Sequence, residues 1–190
     1  MTNISNRPDF QKLSECCYML STTIENANID SSNIFKMNFI DIFFELNKDL
    51  YEKNSILSRS DDRLKCCILL RHFLNEIGEK QKYFYFQVIR DEGESINRKK
   101  KITFKLSRII DRPDTILNNE QEPIGIESID ISCILTEGTH VANVDYILTL
   151  DEPVPSYIEK FISNFIFKIN NRIKEFIENI QYNSNNKCVV

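Results

Sequence analysis

The chain has 190 residues, 42% of them hydrophobic and 27% charged, enough for one domain to bury a core without disulfides. A net charge of -4, with a pI near 5.3, argues against broad electrostatic binding of nucleic acid and leaves room only for a local basic patch. The opening residues Met1 to Arg7 are polar, with no apolar core of a secretory signal, and no run of about 18 uninterrupted apolar residues offers a membrane span.

In chain order, Phe10, Leu13, Cys17, Leu20, Ile24 and Ala27 recur at three-four spacing and predict a first helix starting near Pro8. Asp30, Ser31 and Ser32 offer N-cap chemistry for a second helix over about 33–53, apolar nearly all round through Phe35, Phe39, Phe43, Phe44 and Leu50. Ser60, Asp61 and Asp62 then open a predicted third helix, with Leu64, Cys67, Ile68, Leu70, Phe73, Leu74 and Ile77 apolar and Gly78 as its C-cap.

After Gly78 the period changes to two. Phe84, Phe86 and Val88 alternate with Tyr83, Tyr85, Gln87 and Ile89, and Ile102, Phe104 and Leu106 mark a returning strand. A second hairpin pairs Ile129, Ile131, Cys133 and Leu135 with Ala142, Val144, Tyr146, Leu148 and Leu150 across a turn at Glu137-Gly138-Thr139. Between the hairpins, 111–125 reads as a long surface loop.

The last helix is the clearest element. From Ser156 to about Gln181, Ile158, Ile162, Phe165, Ile169, Ile173, Phe176 and Ile180 share one side, over a length of about 38 Å. Ser156 and Glu159 read as a capping box, and Pro153 and Pro155 separate the helix from the strand before it. The expected architecture is α+β in two layers: three N-terminal helices, a four-stranded antiparallel sheet of two hairpins, and the C-terminal helix packed on the sheet. One domain is expected over 1–182, followed by a disordered tail over 183–190.

Catalytic chemistry has little support. The four glycines (Gly78, Gly93, Gly125 and Gly138) are too scattered to form a phosphate loop. No G-x-S-x-G elbow exists; His72 reads as a structural residue of helix three, and His140 as an exposed turn residue. Asp111, Asp114, Glu120 and Glu122 could hold a divalent cation only if the fold converged them, and a solvated loop is the better reading. Six cysteines form no C-x-x-C pair and read as reduced thiols used as small core residues. No catalytic residue, cofactor or metal is therefore assigned. Abundant Ile, Asn and Lys point to an AT-rich genome as the source.

The function that these residues favour is a non-enzymatic cytoplasmic protein-interaction domain, an adaptor, inhibitor or assembly factor, with self-association through the same surface. Its warrant is surplus apolar area: Phe161, Ile166, Phe167 and Ile177 add to Phe165 on the last helix. A second reading places a small apolar ligand between sheet and last helix, with Tyr83, Tyr85 or Tyr146 as polar handles. A third uses the basic run Arg98, Lys99, Lys100, Lys101, continued by Lys105 and Arg108, to meet RNA or an acidic partner, with Tyr83 and Tyr85 available for stacking. Acidic neighbours Asp91, Glu92 and Glu94 weaken that field, so nucleic acid is disfavoured.

Overall fold

In the computed structural model, residues 9–26, 34–72, 80–113, 116–136, 139–180, 182–183 and 187–188 are described. The elements run β1 (Asp9–Ser14), β2 (Cys17–Glu25), α1 (Phe39–Leu46), β3 (Tyr51–Arg59), β4 (Arg63–Leu70), β5 (Gln81–Glu92), β6 (Lys99–Arg108), β7 (Gln121–Pro123), β8 (Ile126–Thr136), β9 (Val141–Leu150) and α2 (Ser156–Asn179). Two-residue strands β10 (Tyr182–Asn183) and β11 (Lys187–Cys188) pair with each other. The main sheet has nine strands, in the order β1-β2-β9-β8-β6-β5-β4-β3, with β7 lying parallel to β5 and every other pairing antiparallel.

This corrects the expected three-helix N-terminus and four-stranded sheet. Predicted helix one is the hairpin β1–β2. Its burial alternates strictly through Tyr18, Leu20, Thr22 and Ile24, all turned to one face. The step from Leu20 to Ile24 fits both a period of two and a helical turn, so the three-four stripe was not diagnostic. Aromatic and β-branched Tyr18, Thr22, Thr23 and Ile24 side with the strand, where they pack well on a pleated surface.

Predicted helix two shrinks to the eight residues of α1, because Asn47 ends it. Its backbone N–H donates to the Phe44 carbonyl and its side-chain Nδ2 to the Phe43 carbonyl, and the chain then re-enters the sheet as β3. Predicted helix three is β4. Ser60–Asp62 serves the β3–β4 turn rather than a helix cap: Ser60 Oγ accepts from the Arg63 N–H at 3.1 Å and donates to Asp62 at 2.8 Å. The run Cys66-Cys67-Ile68-Leu69 is buried on both faces of the sheet, and such a continuous apolar run cannot be told from a buried helix by its period. The expected caps at Asp30–Ser32 and Gly78, the helix-three residues Phe73, Leu74 and Ile77, and the turn residues Glu137 and Gly138 lie outside the described residues.

Both hairpins read from alternation are present as β5–β6 and β8–β9. The loop 111–125 is less open than expected. It carries β7, and Leu117 buries beside Cys67, Leu69 and Tyr83 on the outer face of β4 and β5.

The inner face of the sheet carries the main core. The row Ile102, Cys133 and Val144 across β6, β8 and β9 is fully buried, as are Ile173 and Ile177 in the last third of α2, which join it in one cluster. Three sets of polar contacts fix the helix. At its N-terminal end Glu159 accepts from Lys12 and from the Tyr18 hydroxyl at 2.9 Å, contacts that replace the expected capping box. Midway, Arg172 grips Asp49 with both guanidinium nitrogens, and Lys168 reaches the same carboxylate at 3.0 Å. At the C-terminal end the buried Asn26 side chain donates to the carbonyls of Ile177 and Ile180.

These ion pairs give the fold an acid limit. The bonds from Arg172, then Lys168, hold the Asp49 carboxyl well below the usual carboxylate range, and Lys12, then Tyr18, hold Glu159 down. A depressed folded-state pKa contributes stability that is fully present above the unfolded value, about 3.9 for Asp and about 4.3 for Glu, and is lost as pH falls through the folded value. The melting temperature should therefore be flat with respect to these groups between neutral pH and about 5 and decline below about 4. Thermal melts followed by circular dichroism across pH would check this. Asp49→Asn should flatten the decline, and an acid limb identical to that of the wild type would refute the assignment.

Candidate ligand cavity

The rows next to the buried Ile102–Cys133–Val144 row behave differently. Phe104, Ile131, Tyr146 and Leu20 lie side by side across β6, β8, β9 and β2, and Leu106, Ile129, Leu148 and Tyr18 form the next row. All eight line a cavity of about 520 Å³ between the sheet and α2. The N-terminal two-thirds of α2 roofs it through Ile158, Ile162, Phe165, Ile166 and Ile169, and Phe39, Ile40 and Phe43 of α1 close one side. Ile173 and Ile177 seat the C-terminal end of α2 in the main core, Ile162 and Ile166 pack on the smaller cluster of Tyr18, Leu148 and Leu150, and Lys12, Tyr18 and Asp49 add polar bonds along the flank of the helix.

The lining is apolar apart from a few groups. Arg71, His72, Lys80 and Lys82 lie at the rim, and Lys82 is paired with Glu122. Tyr157 and Phe161, 72% and 52% exposed, mark the open end along the helix. The polar residues of the inner lining are Tyr146, whose hydroxyl pKa burial pushes up so that it stays a neutral donor, and Asn170, whose amide atoms are themselves buried behind the wall. The volume falls within the range of about 300–1,000 Å³ typical of small-molecule sites.

The candidate residues separate on this geometry. Phe165 and Ile166 line the cavity and Phe161 stacks on Phe165 at 6.2 Å between ring centroids. Phe167 packs against Phe10 at 6.0 Å, and Ile177, at 0% exposed, belongs to the core. Apart from Phe161, 52% exposed, the apolar surplus of the last helix is thus turned inward. Of the three tyrosines only Tyr146 reaches the cavity; Tyr83, 6% exposed, and Tyr85 sit on the opposite face of the sheet with Leu117 and Ile116.

The basic run does not gather into one patch. Lys100 pairs with Glu92, which Arg90 also holds, and Arg108 pairs with Asp151. Lys99, Lys101 and Lys105 point out from the other face of β6, and Arg98 sits in the β5–β6 turn with φ 61°. His72 is an exposed rim residue rather than a structural one within a helix. Glu122 is engaged by Lys82, Asp111 and Glu120 are exposed, and Asp114 lies outside the described residues. Among the described residues no three His, Cys, Asp or Glu side chains group to hold a metal, and no helix is long and apolar enough to cross a membrane.

Sequence reasoning missed the α1 phenylalanines as cavity wall, because their helix was drawn too long. It also missed Asn170, although the signal was present: Asn170 falls one turn from Ile166 and Ile173, on the apolar side of the helix.

No family model matches the sequence, and no curated protein matches it. Solved structures do match. The human StarD13 (DLC2) lipid transfer and protein localization domain superposes with a TM-score of 0.64 at 11% identity, over 93% of this chain and 87% of that one. The fold is that of the STAR-related lipid transfer domains. Human StAR-related lipid transfer protein 5 aligns at TM-score 0.57 and 7% identity, covering 92% of this chain and 88% of its own. A STAR-related lipid transfer protein fragment from Xanthomonas axonopodis aligns at 0.56 and 9%, covering 90% and 98%. This fold, with the inward turn of Phe165, Ile166 and Ile177, overturns the adaptor, inhibitor or assembly-factor reading, because the apolar area that motivated it is not an open docking surface.

Proposed function

We propose that the protein binds a small apolar ligand of the lipid class in the cavity between α2 and the sheet. The observation that carries this reading is the apolar cavity itself, about 520 Å³ and walled by two rows of sheet residues, α1 and α2. A packed interior tolerates few voids larger than a water molecule, so a space of this size in a small domain calls for an occupant. Similar folds whose names carry lipid transfer support the same class of ligand. Among the described residues the cavity wall carries no Ser, Cys, Asp or Glu, and the reading is therefore one of binding. Cys66 and Cys133, whose thiols burial pushes up to about 12, act as inert packing groups and suit a reducing compartment such as the cytoplasm.

Incubation of the purified protein with a panel of single-chain lipids, sterols and phospholipids, read by native mass spectrometry, tests this. A one-to-one adduct is expected with at least one class. At a free concentration near 100 Kd, binding stabilises by about 2.7 kcal/mol. For a chain of this size that raises the melting temperature by roughly 5–10 °C. No adduct and no shift across the panel would overturn the proposal.

A further inference from the structure

Asn170 stands out among the cavity residues. It is 1% exposed, both atoms of its side-chain amide are buried, and neither has a hydrogen-bond partner among the described residues. An apolar residue at this position would continue the stripe of Ile166, Ile169 and Ile173 at no such cost, since an unmade buried amide typically destabilises by about 1–3 kcal/mol. Its place along the helix is also informative. Asn170 and Ile173 roof the closed end, where α2 meets the core, whereas Phe161 lies nine residues back toward the open end, about 14 Å away at the helical rise.

We propose that Asn170 is the polar anchor of this site, its buried and unpartnered amide turning out of the wall to meet the ligand, and that the ligand is an uncharged amphiphile, held head-inward with a hydroxyl or carboxamide on that amide. The inference rests on the cavity being a ligand site, and adds the chemical class and orientation of what enters. An amide side chain both donates and accepts, so a head that does both satisfies it fully, while an ester only accepts and leaves Oδ1 unmade. The cationic side chains at the cavity, Arg71, Lys80 and Lys82, are at its rim, so a carboxylate at the closed end would be buried without a counter-charge. Tyr146, on the sheet wall of the same cavity, supplies a second neutral donor. The apolar body then runs toward Phe161, past Ile166 and Phe165.

The test is a head-group series on one twelve-carbon chain: dodecanol, dodecanamide, methyl laurate and dodecanoate, each titrated against the full-length protein by displacement of a fluorescent probe. Dodecanol and dodecanamide should bind roughly ten- to a hundredfold tighter than the ester and the carboxylate, the worth of a satisfied buried amide. In Asn170→Leu that preference should vanish while the ester binds as before or better, and the variant should melt above the wild type. Equal affinities across the series in the wild type, or tightest binding of dodecanoate, would overturn the anchor while leaving the ligand site standing. So would an unchanged preference in Asn170→Leu. If no probe binds but sterols or phospholipids do, the head-inward single-chain assignment fails alone; if nothing binds, the ligand-site reading falls and this inference with it. Should Asn170→Leu fail to fold, the wild-type series decides by itself.

Discussion

Ile177→Asp should leave no stably folded protein. Ile177 is fully buried in the last turn of α2, within the cluster that holds Ile102, Cys133 and Val144. Removing its side chain forfeits about 1.5–3 kcal/mol of burial. The new carboxylate would be desolvated without a partner and would oppose the negative end of the helix dipole. Together these exceed about 4 kcal/mol, against a total stability of about 5–15 kcal/mol for domains in general. Urea denaturation followed by circular dichroism would show a lost or strongly shifted transition. Phe161→Asp, at the exposed end of the same helix, is the control and should fold. A cooperative Ile177→Asp transition near that of the wild type would refute the placement of this turn in the core.

The second large effect is on binding. Ile131→Trp places an indole in the middle of the sheet row that floors the cavity, between Phe104 and Tyr146. Overpacking a filled core costs about 1–3 kcal/mol, but here the added volume enters existing space, so the fold should survive with its melting temperature changed by a few degrees at most. Uptake of any lipid that binds the wild type should fall at least about tenfold, which corresponds to about 1.4 kcal/mol. Native mass spectrometry on both proteins would read it. Undiminished adduct formation by a folded Ile131→Trp would place the ligand elsewhere.

The residues that line the cavity were legible from the sequence in unequal measure. The alternations of β6, β8 and β9 put Phe104, Leu106, Ile129, Ile131, Tyr146 and Leu148 on one face, and the α2 stripe named Ile162, Phe165 and Ile169. What misled was the N-terminal third. Leu20 and Ile24 satisfy two periods at once, and the doubly buried β4 satisfies none, so the pattern predicts helices where strands β2 and β4 stand. The missing strands matter because a four-stranded sheet could be covered by one helix. A nine-stranded sheet cannot, and α1 and α2 together enclose the cavity over its inner face. Ile177 shows the converse error: counted as surplus on the helix wheel, it is the residue that seats the helix.

By itself, the sequence determined the local periods of the two later hairpins and of α2, the apolar character of their facing sides, and the lack of phosphate loops and nucleophile motifs. These follow from spacing and composition, which local sterics and burial translate directly into strand, helix or turn. Only the tertiary structure decided how α2 sits on the sheet, seated in the core at Ile173 and Ile177, tied by Glu159, Arg172 and Lys168 to distant partners, and leaving a gap beside it. That gap depends on contacts between residues more than 100 positions apart, and no periodicity in a single segment records which partner a side chain will meet.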